Sequence, residues 1–96
     1  HYLDDDGFRA LQQAMMKHPE SGEVIEGAGG LRKLRHGDAV RGKGKRGGLR
    51  VVYFWWAAAS QFWLFTLFNK DEMTDLKSGE IKLLRNMLKH ELEARQ

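Results

Sequence analysis

Residues 49–58 and 61–68 leave this chain the least freedom in how it can fold. Both runs are dense in β-branched and aromatic side chains, the types that suit a pleated surface. Only Ala59 and Ser60 separate them, so together they read as an antiparallel hairpin with a tight connection. Successive side chains on a strand point to opposite faces, and in both runs both sets are apolar. Such a hairpin needs other elements packed on each side of it. Trp55 and Trp56 fall on opposite faces, so at least one of them is expected in the core.

The rest of the chain supplies candidates for that cover. Asp4, Asp5 and Asp6 suit a helix N-terminus, where backbone N–H groups and the helix dipole favour acids. Phe8, Leu11 and Met15 then recur at helical spacing, and the helix stops at His18-Pro19 because the residue before proline avoids helical angles. Residues 20–30 read as a connection and 31–35 as a short strand. Residues 37–48, with glycines at 42, 44, 47 and 48, read as a loop. A last helix is expected to start with Ser78 as its cap and to carry Ile81, Leu84, Leu88 and Leu92 as its apolar stripe. The order is helix, strand, basic loop, strand, strand, helix. It predicts a single α+β domain over residues 1–96, with a small antiparallel sheet. The chain opens with His1 rather than Met, so residues upstream of it are expected.

Several classes of function are excluded by composition. The 96 residues include no cysteine, which removes disulfides, thiolate catalysis and cysteine-bound zinc. The longest apolar run, residues 51–59, is strand-sized and far short of the roughly 20 residues needed to span a bilayer. No membrane partner is therefore expected.

Charge is the feature that points to a partner. Residues 32–50 hold eight cations (Arg32, Lys33, Arg35, Arg41, Lys43, Lys45, Arg46, Arg50) and one acid, Asp38, a net +7. The chain totals +3, so everything else sums to −4. This asymmetry fits a polyanionic ligand better than it fits general solubility, although a solvated basic loop has the same composition. Within it, Arg41-Gly42-Lys43-Gly44-Lys45-Arg46-Gly47-Gly48 interleaves cations with glycines, which let backbone approach a phosphate chain closely. By itself that pattern specifies nucleic acid only loosely.

Other motifs are weaker. Gly27-Ala28-Gly29-Gly30 precedes a strand rather than a helix and lacks a following GK[ST], so it does not read as a nucleotide-phosphate loop. The four histidines (His1, His18, His36, His90) have no metal-ligand spacing, and no metal or other cofactor is expected. Only His36 lies in the basic region, as a surface histidine or a proton-transfer group. The aromatics of the hairpin could stack bases, but their density reads first as a core.

Three stretches together resemble one family. Pro19-Glu20-Ser21-Gly22-Glu23-Val24-Ile25, the glycines of residues 27–30 and Leu31-Arg32-Lys33-Leu34-Arg35 form the first. Gly42-Lys43-Gly44-Lys45-Arg46-Gly47-Gly48-Leu49-Arg50-Val51-Val52-Tyr53 is the second and most specific. Leu67-Phe68-Asn69-Lys70, followed by an Asp-Leu pair and a leucine-rich helix, is the third. From about Gly7 onward the chain is similar to the HigB-like branch of the RelE toxin superfamily. The resemblance implies a microbial ribonuclease-like fold, a twisted antiparallel sheet with two helices on its N-terminal side and one at its end. It also implies an N-terminal strand that is expected to be missing from this chain, leaving an apolar face that invites self-association into a homo-oligomer.

The same resemblance implies a cytoplasmic, ribosome-dependent mRNA endonuclease, the toxin of a toxin–antitoxin pair. Its partners would be the ribosome, mRNA and a cognate antitoxin of the helix-turn-helix type. The 2′-OH attacks the adjacent phosphate without a metal, leaving a cyclic phosphate and a 5′-OH. Carried over by position, the catalytic candidates are Lys33, Arg35, Arg50 and Lys70. Arg41, Lys43, Lys45, Arg46 and His36 are the RNA-binding candidates. The stretch 71–77 has no tyrosine or histidine to act as acid, so Lys33, Lys70 and His36 all stand open for that role. Crowding by other cations would favour the neutral form of a lysine and let it act as base. Two readings stand beside this one: a non-catalytic nucleic-acid-binding module, and an inactive homologue that serves as an antitoxin's partner.

Overall fold

The computed structural model describes residues 5–36, 49–69 and 75–95. Two helices, α1 (Asp5–Lys17) and α2 (Ser78–Ala94), accompany four strands: β1 (Glu23–Val24), β2 (Arg32–His36), β3 (Leu49–Trp56) and β4 (Gln61–Asn69). The strands form one antiparallel sheet in chain order. This is the α+β class expected, with one helix rather than two ahead of the sheet among the described residues. No helix among them is long and apolar enough to cross a membrane.

β3 is the centre of the molecule. Its alternation sends Leu49, Val51 and Tyr53 to one face, where they bury Leu11 and Met15 of α1. Val52 points the other way, into a cluster with Ala28, Leu31, Phe68 and the α2 residues Leu84 and Leu88. Each helix thus covers one face, as the two-sided apolar pattern demands. The α1 stripe is shorter than its spacing predicts, because Phe8 stays largely exposed while Leu11 and Met15 are buried.

Three local expectations are corrected. The hairpin connection has four residues rather than two. Ala57–Ala59 winds into a 3-10 turn, and Ser60 closes it in the left-handed region (φ 51°), donating its N–H to the Ala57 carbonyl at 3.2 Å. The cap of α2 is Lys77 rather than Ser78, since the Glu80 carboxylate accepts the Lys77 N–H at 2.7 Å and so fixes the first turn one residue earlier. Neither Trp55 nor Trp56 is fully buried. They lie towards the hairpin turn: Trp55 packs partly buried against the α1-side cluster and on Phe62 (centroids 4.8 Å apart), and Trp56 packs on Trp63 (5.2 Å). Tyr53 is the fully buried aromatic.

β1 lies within the stretch that reads as a connection. Two residues are too few to leave a periodic signal, and they exist as a strand only by pairing with Arg32 and Lys33. The Gly-Ala-Gly-Gly motif is the turn between β1 and β2. Gly27, Gly29 and Gly30 all have positive φ (78°, 73° and 116°), which lets the chain reverse tightly and drop Ala28 into the α2-side core. Gly22 is required for another reason. Its N–H donates to the Tyr53 hydroxyl at 3.0 Å, and a Cβ there would lie 2.8 Å from the Tyr53 ring. The same hydroxyl donates to the Pro19 carbonyl at 2.8 Å, so Tyr53 ties the exit of α1 to the sheet.

Candidate functional site

The cations predicted on strands converge at one end of the sheet. Arg35 of β2 stands directly opposite Arg50 of β3, and Lys33 stands opposite Val52. Opposed residues share a face, and so do residues two apart along a strand, so Lys33, Arg35 and Arg50 lie on the α2 side. Like charges set opposite one another across two strands repel. Glu23 of β1 stands opposite Lys33, and Lys33 pairs with Asp75, just ahead of α2. The Asp75 Oδ1 accepts the Lys33 ammonium at 2.7 Å and the Leu76 N–H at 2.8 Å.

That arrangement governs how Asp75 titrates. The hydrogen bond from Lys33 holds its carboxyl below the ordinary carboxylate value. The Leu76 N–H acts in the same direction, partial burial opposes both, and the charges of Lys33 and Arg50 add a smaller lowering effect. Asp75 therefore senses Arg50 as well as Lys33. Among the described residues Arg35 makes no ion pair.

The three cations are not equivalent. Arg50 is only 6% exposed, close beneath the patch surface. Lys33 is engaged by Asp75 rather than left among cations, and a base role would first require it to leave that carboxylate. Arg35 is the exposed member. Arg32, a further cation of the basic region, is occupied elsewhere. Its guanidinium donates to the carbonyls of Glu20 (3.0 Å) and Gly22 (2.9 Å), securing the loop between α1 and β1.

His36 ends β2, half-buried and paired with Leu49. Arg41, Lys43, Lys45, Arg46 and Lys70 lie outside the described residues. The chain leaves β2 at His36 and enters β3 at Leu49.

Sequence reasoning missed Asp75, His18 and Glu23. Asp75 sits 42 residues from Lys33, with no spacing rule to connect them. His18 reads only as the end of α1, yet it borders an open groove of about 510 Å3 that Glu23, Lys33, Arg35 and His36 also line. The groove follows the free edge of β2. β1 pairs only with Arg32 and Lys33, so Leu34, Arg35 and His36 have no strand neighbour on that side among the described residues. A second groove, of about 470 Å3, lies between β4 and the C-terminal half of α2. It is bordered by Trp63, Leu64 and Met87, and Arg95 sits over the Trp63 ring at 4.5 Å. Its lining is mainly apolar and does not include the cation patch.

Among the described residues no three His, Asp or Glu side chains are grouped so as to hold a metal ion. No model of a known protein family matches this chain.

Proposed function

We propose that this chain is an RNA-cleaving toxin of the RelE/HigB type, acting on messenger RNA held by the ribosome and restrained by a cognate antitoxin that covers the basic end of the sheet. The observation that carries the reading is the Arg35–Arg50 pair. Arg35 and Arg50 stand opposite each other on adjacent strands, with Lys33 two residues along on the same face. Neighbouring cations of this kind attract a phosphodiester, and donors fixed on strands stabilise the charge that builds in its transition state. The basic, glycine-rich composition of residues 41–48 suits the flanking phosphates. Dependence on the ribosome comes from the family resemblance. It also fits an open site with little means of holding free RNA in line for attack.

The test is cleavage of ribosome-bound and free mRNA by the wild type, Arg35→Ala, Arg50→Ala and Arg50→Lys, with thermal melts alongside. Wild type should cleave only ribosome-bound message. Each alanine variant should lose about 10²–10³ in rate, the usual cost of removing one such donor. Arg50→Lys keeps the charge in the buried position, so it separates loss of the guanidinium fork from loss of the fold. Replacing Lys43, Lys45 and Arg46 together should flatten the salt dependence of RNA binding by about 2 in log–log slope, at roughly 0.7 per charge on single strands.

A second reading has specific support. The burial of Arg50 and the Lys33–Asp75 pair also suit cations that shape a binding surface without catalysis. RNA binding with the expected salt slope, but no cleavage on or off the ribosome, would select that reading.

A further inference from the structure

The chemistry assigned above needs a base for the 2′-OH and an acid for the leaving 5′-oxygen, and neither guanidinium nor a lysine held by Asp75 is well suited to either task. The groove along the free edge of β2 holds two groups that are. His18 sits just past the last turn of α1, where Pro19 forces the chain out of the helix. His36 is the last residue of β2. The fold of α1 back across the sheet brings both to line the same groove, together with Glu23, Lys33 and Arg35. At a free strand edge, side chains from both faces border one cleft. That is how Lys33 and Arg35, on the α2 side of the sheet, come to share it with His36, on the α1 side.

We propose that His18 and His36 are the proton-transfer pair of this groove for cleavage of a ribose phosphodiester, a proposal that rests on the ribonuclease reading above. Imidazole is the side chain that can both accept and donate a proton near neutral pH. His36 is half-buried at the end of β2, on the α1 side, and shares the groove with Arg35 and Lys33 only along the strand edge. His18 is exposed on the outer wall, where the departing strand leaves. His36 takes the proton from the 2′-OH as the O2′–P bond forms. Arg35 and Lys33 bear on the non-bridging oxygens. His18, protonated, gives its proton to O5′ as the P–O5′ bond breaks. The products are a 2′,3′-cyclic phosphate and a 5′-hydroxyl, and exchange with water returns each imidazole to its starting state. No oxidant, metal or further reactant enters. Among the described residues, the other titratable groups lining the groove are Glu23 from β1 and Lys33 and Arg35 from β2.

The experiment uses the whole chain in the ribosome-programmed assay that tests the ribonuclease reading. The variants are His18→Ala, His36→Ala and His36→Gln, with melts to show that each folds. One message carries the ordinary linkage. A second carries sulfur in place of the bridging 5′-oxygen at the cleavage site, a leaving group that needs no proton. On the ordinary linkage each variant should lose about 10²–10⁴ in kcat with little change in KM, and the bell-shaped pH profile should lose one limb. On the sulfur linkage His18→Ala should recover most of the wild-type rate, and both His36 variants should stay slow. The proposal is overturned if the variants cleave within a few-fold of wild type while wild type is active, an outcome that leaves the ribonuclease reading in place. It is also overturned if the sulfur linkage rescues the His36 variants instead. A wild type that binds ribosomes but cuts neither message overturns both.

Discussion

The two ends of β3 invert the usual rule about what is buried. At its start Arg50 is 6% exposed, next to Leu49 and Val51, which are fully buried. At its far end Trp55 and Trp56, far more apolar, are only half-buried. The difference lies in coverage. The first half of the strand is sandwiched between Leu11 and Met15 of α1 on one side and Leu84 and Leu88 of α2 on the other. The hairpin end runs towards the turn, where the aromatics shelter one another instead. A charged residue is thereby held in the best-packed part of the molecule, while the large rings carry less of the stability than their size suggests. Tyr53 marks the boundary, being the last fully buried residue of the strand.

That contrast is most easily broken at Tyr53 and Trp56. Tyr53→Ala should destabilise the fold by about 3–5 kcal/mol, the cost of emptying a buried aromatic site. Trp56→Ala should cost under about 2 kcal/mol, because much of that ring already meets solvent. Denaturant titration of both variants gives the comparison directly, and equal losses would place the hairpin end in the core after all. A smaller change sharpens the same point. Gly22→Ala would drive a methyl group to 2.8 Å from the Tyr53 ring, with an expected loss of about 1–3 kcal/mol from overpacking. If Gly22→Ala melts like wild type, the clasp between Tyr53 and the exit of α1 is not a tight one.

The smallest effect expected belongs to Asp75. Its carboxyl titrates below its ordinary value in the folded protein because Lys33 and the Leu76 N–H favour the charged form. A depressed carboxylate contributes stability that is fully present above the unfolded-state value and is lost as pH falls through the folded-state value. Asp75 is largely exposed, so solvent screening keeps the contribution small. Asp75→Asn should therefore leave the melting temperature near pH 7 almost unchanged and make the acid limb of the stability profile slightly shallower. A steeper limb in the variant would mean that Asp75 is not the group losing its partner there. The same variant frees Lys33 from its carboxylate, so on the proposed RNA-cleaving reading RNA binding should tighten modestly.

The sequence alone determined the elements whose signals are local and repeated. Two-sided apolar alternation produced β3 and β4, and helical spacing produced both helices, each within a residue or two of its observed limits. The α+β class followed, because a hairpin that is apolar on both faces has to be covered on both. The density of charge over residues 32–50 was equally legible, since charge is counted along the chain wherever the chain goes. Only the tertiary structure decided what those charges meet. β1 has too few residues to show a period, and it became a strand only when Arg32 and Lys33 arrived beside it. Arg35 came opposite Arg50 through the β2–β3 register, Lys33 met Asp75 across 42 residues, and His18 came to share a groove with His36 because α1 folds back on the sheet. The physical reason is one of range. Periodicity and capping act over a turn or a strand, whereas burial of an arginine or the pairing of two distant side chains depends on which surfaces the collapsed chain brings together.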